Sequence, residues 1–122
     1  MSKMRILLAD DHTVVRQGLK ALLAAEDDIE IIGEADNGRQ AVQMAKKFLP
    51  DVIVMDIAMP VLNGLEATRL IKATQATRES KIIAHTGNAS VPRSLERWFV
   101  DIMSKPSPPD VMVAAVRHAV TL

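Results

Sequence analysis

The sequence predicts an α/β domain, a parallel sheet with helices on both faces. Two observations predict it. Short apolar runs of strand length alternate with longer segments whose apolar residues recur at helical spacing. The strongest run, Val52-Ile53-Val54-Met55, is apolar without alternation, as a parallel strand covered on both faces requires. The length, 122 residues, suits one domain spanning 1–122. A domain of this size buries roughly two-thirds of its unfolded surface, so a sizeable core is available.

Five strands and five helices are expected in alternation. Residues 4–9 are a short apolar run ending at Asp10-Asp11. Over 13–26, Val14, Val15, Leu19, Leu22 and Leu23 share one helical face. Residues 29–35 carry Ile29, Ile31 and Ile32 among polar or small residues, a second strand. Asp36-Asn37-Gly38 forms a turn and a helix cap, followed by Ala41, Met44, Ala45, Phe48 and Leu49 at helical spacing. Pro50 ends that helix. Residues 51–56 hold the third strand, and Asn63-Gly64 leads into a helix over about 65–75. Residues 81–85 give a fourth strand, 90–99 a fourth helix, and Ile102-Met103 a short fifth strand. Ser107 is placed to cap the last helix, with Pro108 at its first position and Asp110 near the capping-box position. Met112, Ala115, Val116, Ala119 and Val120 form its apolar stripe.

Composition excludes several function classes. There is no cysteine, which removes disulfide frameworks and cysteine-based nucleophiles or metal sites, and agrees with a reducing compartment. Fifteen Lys and Arg balance fifteen Asp and Glu, which argues against a basic nucleic-acid surface. Aromatics are 2% of the chain, too few for base-stacking platforms or for a flavin sandwich. No apolar run approaches the roughly 20 residues of a membrane span, and the N-terminus lacks a signal-peptide pattern. The expected location is the cytoplasm.

In a parallel α/β sheet, ligands bind outside the carboxyl ends of the strands. Those ends carry Asp10-Asp11, Asp56, Thr86-Gly87 and Lys105-Pro106. Two like charges 4 Å apart repel by about 4 kcal/mol at an effective dielectric near 20, so three clustered carboxylates call for a cation. Mg²⁺ takes one or two carboxylates and accepts phosphate oxygens. A free carboxylate oxygen would then attack phosphorus, with Thr86 and Lys105 on the transferred oxygens.

These residues resemble the receiver domains of two-component response regulators. The resemblance rests on Leu-Leu-Ala-Asp-Asp-His at 7–12, Asp-Val-Ile-Val-Met-Asp-Ile-Ala-Met-Pro at 51–60, Asn-Gly-Leu-Glu at 63–66, Ile-Ile-Ala-His-Thr-Gly at 82–87 and Ser-Lys-Pro at 104–106. It spans the chain, and the segments at 10–19 and 32–38 are most similar to regulators with a LuxR-type helix-turn-helix output. It implies a flavodoxin-like (βα)5 fold with strand order 2-1-3-4-5. It implies Asp56 as phosphoacceptor, Asp11 as a direct Mg²⁺ ligand, Asp10 mainly through water, and the Ala58 carbonyl as a further ligand. Thr86 is implied as the switch hydroxyl, Lys105 as the phosphoryl partner, Gly87 as the gap that admits donors, and Pro106 as the residue after a cis bond. A histidine kinase is the implied donor. The domain would signal rather than catalyse, beyond self-phosphorylation from small donors and autodephosphorylation. A homodimer would use the fourth helix, fifth strand and fifth helix, and DNA would be reached only through an output domain outside these residues.

The sequence also departs from the family. Thr86 and Lys105 are 19 positions apart, closer than usual, and Ile102 stands where an aromatic switch residue is usual. The short segment 88–101 keeps open a pseudo-receiver that signals by binding without phosphorylation. A phosphatase using an aspartyl-phosphate is disfavoured by the absence of a cap insertion and of Asp-x-Asp after strand one. His12 is expected to be exposed at the start of helix one, His85 packed in its strand and His118 facing solvent. Trp98, Phe99 and the methionines are expected in the core.

Overall fold

The computed structural model describes residues 3–87 and 90–122. Five parallel strands form one sheet in the order β2-β1-β3-β4-β5, as expected. They are β1 (Met4–Ala9), β2 (Ile29–Ala35), β3 (Val52–Met55), β4 (Lys81–Thr86) and β5 (Asp101–Ser104). The α-helices are α1 (Thr13–Ala24), α2 (Gly38–Phe48), α3 (Gly64–Ala73) and α4 (Pro109–Ala119).

The sheet separates two cores because strand side chains alternate in direction. Leu7, Ile53, Met55 and Ile82 face α2 and α3, where Ala41, Ala45, Ala67 and Ile71 pack. Ile6, Leu8, Val54 and Ile83 face α1 and α4, where Leu23, Met112 and Val116 pack. The central β3 is buried along its whole length, which is why its sequence shows no alternation. In β2 the register slips against β1 between Ile6 and Leu7, so Ile31 pairs with Ile6 but Gly33 with Leu7. That bulge lets both Ile31 and Ile32 lie in one strand without strict alternation.

Several expectations need correction. Val14, expected on the apolar face of α1, is 87% exposed, and Leu49 and Val120, expected in apolar stripes, are exposed cap residues just beyond α2 and α4. The segment between β4 and β5 is not an α-helix. Among the described residues it holds a six-residue 3-10 helix, Arg93–Trp98, started by Pro92. Its amides bond three residues back, Leu95 N to Pro92 O and Phe99 N to Glu96 O. Two residues of the 88–101 segment lie outside the described residues. Trp98 and Phe99 still reach the core, with Phe99 buried beside α3 and the sheet. Ser107 also does not cap the last helix. Its hydroxyl donates to Ser104 O at 2.8 Å, Pro108 occupies the cap position and Pro109 begins α4. The Asn37 cap is as expected: its side chain accepts from Gln40 N, and Gln40 Oε1 accepts from Asp36 N.

Candidate phosphoacceptor and cation site

The carboxyl ends of β1 and β3 are adjacent, so Asp10 and Asp56 leave the sheet side by side. Asp10 N donates to Ala35 O and Asp56 N to Ala9 O, continuing the strand ladders one residue further. Both aspartates are buried, at 3% and 2% exposure. Lys105 enters from the end of β5, where its amide donates to Thr86 O at 2.9 Å. Its Nζ lies 2.7 Å from Asp10 Oδ2 and 3.2 Å from Asp56 Oδ2. The Lys105–Pro106 bond is cis, as expected. Thr86 is buried at the end of β4, next to the strand carrying Asp56.

The loop after β3 is folded back against the site. Ala58 N donates to Asp56 Oδ1 at 3.2 Å, and Gly64 N donates to Ile57 O at 2.8 Å. A Cβ at Gly64 would stand 2.0 Å from Asp56 O, so only glycine permits this approach. Asn63 then caps α3 by accepting from Glu66 N. Asp11, His12, Val15, Asp56, Ala58, Gly87 and Lys105 line a cleft of about 410 Å³. Among the described residues, nothing would meet a Cβ at Gly87 within 4 Å.

The charges are unbalanced without a cation. Burial pushes the Asp56 carboxyl above its ordinary pKa; Lys105 opposes this, and the neighbouring Asp10 adds to it. Asp11 Oδ1 and Asp56 Oδ2 are buried oxygens whose near nitrogens are His12 Nδ1 at 3.3 Å and Lys105 Nζ at 3.2 Å. Among the described residues, the Lys105 ammonium meets two of the three clustered carboxylates, Asp10 and Asp56. This donor set of clustered oxygens suits a hard divalent cation such as Mg²⁺.

Two features were not anticipated from sequence. His12 is exposed as expected, at 61% of its side chain, yet its Nδ1 lies 3.1 Å from Asp10 Oδ1 and 3.3 Å from Asp11 Oδ1. Arg16 donates from Nη1 to Asp10 O at 2.6 Å and from Nε to Glu34 Oε1 at 3.2 Å. Glu34 also meets Lys20 and Gln17. The partners stand on α1 and β2, and no local pattern announces a pair 18 residues apart. His85 packs as expected; burial and Lys105 lower its pKa, and Asp10 works against them.

Residues 6–117 match the family model for the response regulator receiver domain. The chain belongs to that family. It is 37% identical over 109 residues to a protein-glutamate methylesterase/protein-glutamine glutaminase of Methanococcus maripaludis, covering 88% of this chain and 30% of that protein. It is 34% identical over 117 residues to the transcriptional regulatory protein DegU of Brevibacillus brevis, covering 95% of this chain and 50% of that one. The chain therefore spans at most half the length of these two relatives. It also superposes on the receiver domain of the sensor histidine kinase PA1611 from Pseudomonas aeruginosa PAO1, with TM-score 0.87 and 29% identity over 99% of this chain and 100% of that one. That crystal structure has a magnesium ion coordinated in its active-site cleft. The receiver is a signalling domain of two-component systems, and the methylesterase match covers only part of that enzyme. No helix among the described residues is long and apolar enough to cross a membrane.

Proposed function

We propose that Asp56 accepts a phosphoryl group from a phosphohistidine of a histidine kinase, with Mg²⁺ held by this pocket. The observation that carries the reading is the buried Asp56 carboxylate at the floor of an open cleft, with Oδ2 3.2 Å from the Lys105 ammonium. A carboxylate oxygen forms the bond to phosphorus as the phosphorus–nitrogen bond to the kinase imidazole breaks. Bound Mg²⁺ supplies charge neutralisation between the carboxylates and the phosphoryl oxygens. Asp11 and Asp56 would hold the ion directly and Asp10 mainly through water, with the Ala58 carbonyl as a further ligand. Lys105 exchanges its carboxylate partners for a phosphoryl oxygen. Thr86 places its hydroxyl on another, and Gly87 leaves the donor room.

The new charge then biases the surface around Arg93–Trp98, β5 and α4. Ile102 and Val111 are exposed there, at 43% and 46%, which supports this face as the homodimer contact. The likeness to DegU, a transcriptional regulatory protein, supports transcription regulation through an output domain. Beyond accepting phosphoryl groups from small donors and losing them by autodephosphorylation, the domain catalyses nothing.

The test is intact-mass spectrometry after incubation with acetyl phosphate. One phosphoryl group should add to the wild type with Mg²⁺, and none without Mg²⁺ or in Asp56→Asn. No gain by the wild type, and no response to beryllofluoride, would favour a domain that signals by binding alone.

A further inference from the structure

We infer that His12 is a nitrogen ligand of the cation site and turns its preference toward first-row transition ions. The inference rests on the cation-site reading above and adds a donor to it. His12 Nδ1 lies 3.1 Å from Asp10 Oδ1, 3.3 Å from Asp11 Oδ1 and 3.7 Å from Asp56 Oδ2. Neighbouring corners of an octahedron with bonds of about 2.1 Å are roughly 3.0 Å apart. Two of the three separations are close to that spacing, and Nδ1, which hydrogen-bonds Asp10 Oδ1 and lies 3.5 Å from Lys105 Nζ, stands beside all three carboxylates. One ligand atom from each of the four residues fits within 4.8 Å of the others.

The local backbone holds the ring there. His12 N donates to Asp10 Oδ1 at 2.8 Å, which turns the residue back over the pocket. His12 is also the cap residue of α1, yet its side chain makes no capping hydrogen bond. The ring is therefore spent on the pocket and not on the helix. Asp11 Oδ1 and Asp56 Oδ2, both buried, are two of the atoms it faces.

Imidazole suits borderline ions, whereas Mg²⁺ prefers oxygen. Three carboxylates alone make a magnesium pocket; three carboxylates and an imidazole also make a good site for Co²⁺ or Ni²⁺. The ligand class is thus a divalent first-row transition ion competing with Mg²⁺.

Calorimetric titration with Mg²⁺ and with Co²⁺, on wild type and His12→Ala, tests this. The preference for Co²⁺ over Mg²⁺ should fall by about tenfold or more in the variant. Proton NMR of the Co²⁺-loaded wild type should show one solvent-exchangeable resonance shifted far downfield, the Nε2–H of a coordinated ring, absent in His12→Ala. An unchanged ratio, or no such resonance, would overturn the role of His12 even if both ions bind. Failure of the wild type to bind either ion would overturn the cation site itself, and this role with it.

Discussion

At the scale of single residues, Asp56 is the costly one. Its carboxyl is held above the ordinary pKa, chiefly by burial, so the folded state binds its proton more tightly than the unfolded state does. Stability contributed by that proton is present at low pH and lost as pH rises through the folded pKa. At neutral pH without divalent cation, Asp56→Asn should therefore be more stable than wild type by about 1 kcal/mol, or roughly 3–5 °C in Tm. The gain should vanish on acidification and shrink when Mg²⁺ is added. Differential scanning fluorimetry across pH, with chelator or with Mg²⁺, reads all three; a variant less stable than wild type at neutral pH would contradict the account. Gly64 is the opposite case, a residue without a side chain whose position depends on that lack. Gly64→Ala would drive a Cβ into Asp56 O and should cost about 2–3 kcal/mol in urea unfolding. It should also slow phosphorylation, because the backbone it displaces carries the phosphoacceptor.

At the scale of elements, the site depends on how α1 is tied to the sheet. Arg16 bridges the Asp10 carbonyl to Glu34 on β2, and Lys20 completes the pair. Partial burial raises the Glu34 pKa, but Lys20 and Arg16 outweigh it and the net shift is downward. Stability from these pairs is thus present above the unfolded value of 4.5 and lost as pH falls through the folded pKa. Glu34→Gln should lower Tm at pH 7 and match wild type well below pH 4, with a net loss at neutral pH of about 1 kcal/mol or less. Equal losses at both pH values would point to packing and not charge. The loop after β3 holds a second tension. Val61 sits at φ 68, a left-handed conformation costly for a β-branched residue. Val61→Asn, which tolerates that region, should raise stability by about 1 kcal/mol in urea unfolding.

At the scale of the whole molecule, most of the architecture was legible and the reasons can be named. The buried β3 showed itself as an unbroken apolar run, and the strand ends carried Asp10, Asp11, Asp56 and Lys105 as separate charged punctuation. What periodicity could not convey was the geometry of short segments. Ser-Leu-Glu-Arg-Trp at 94–98 has apolar spacing compatible with either helix type, and its three-residue bonding depends on Pro92 and on the short span left before β5. Ser107 looked like a cap by residue type, but Ser104 O captured its hydroxyl. His12 and Arg16 were readable only as residues of the first helix, because their roles come from a carboxylate and a carbonyl fixed by neighbouring strands. The sheet order converts five scattered motifs into one cleft, with the Asp56 carboxylate at its floor. Phosphorylation of Asp56 is read out by reducing the acetyl-phosphate-treated protein with borohydride, which converts a phosphorylated aspartate to homoserine, and mapping the product by peptide mass spectrometry. Homoserine is expected at position 56 alone, dependent on Mg²⁺. Homoserine at position 10 or 11, with position 56 unmodified, would contradict it.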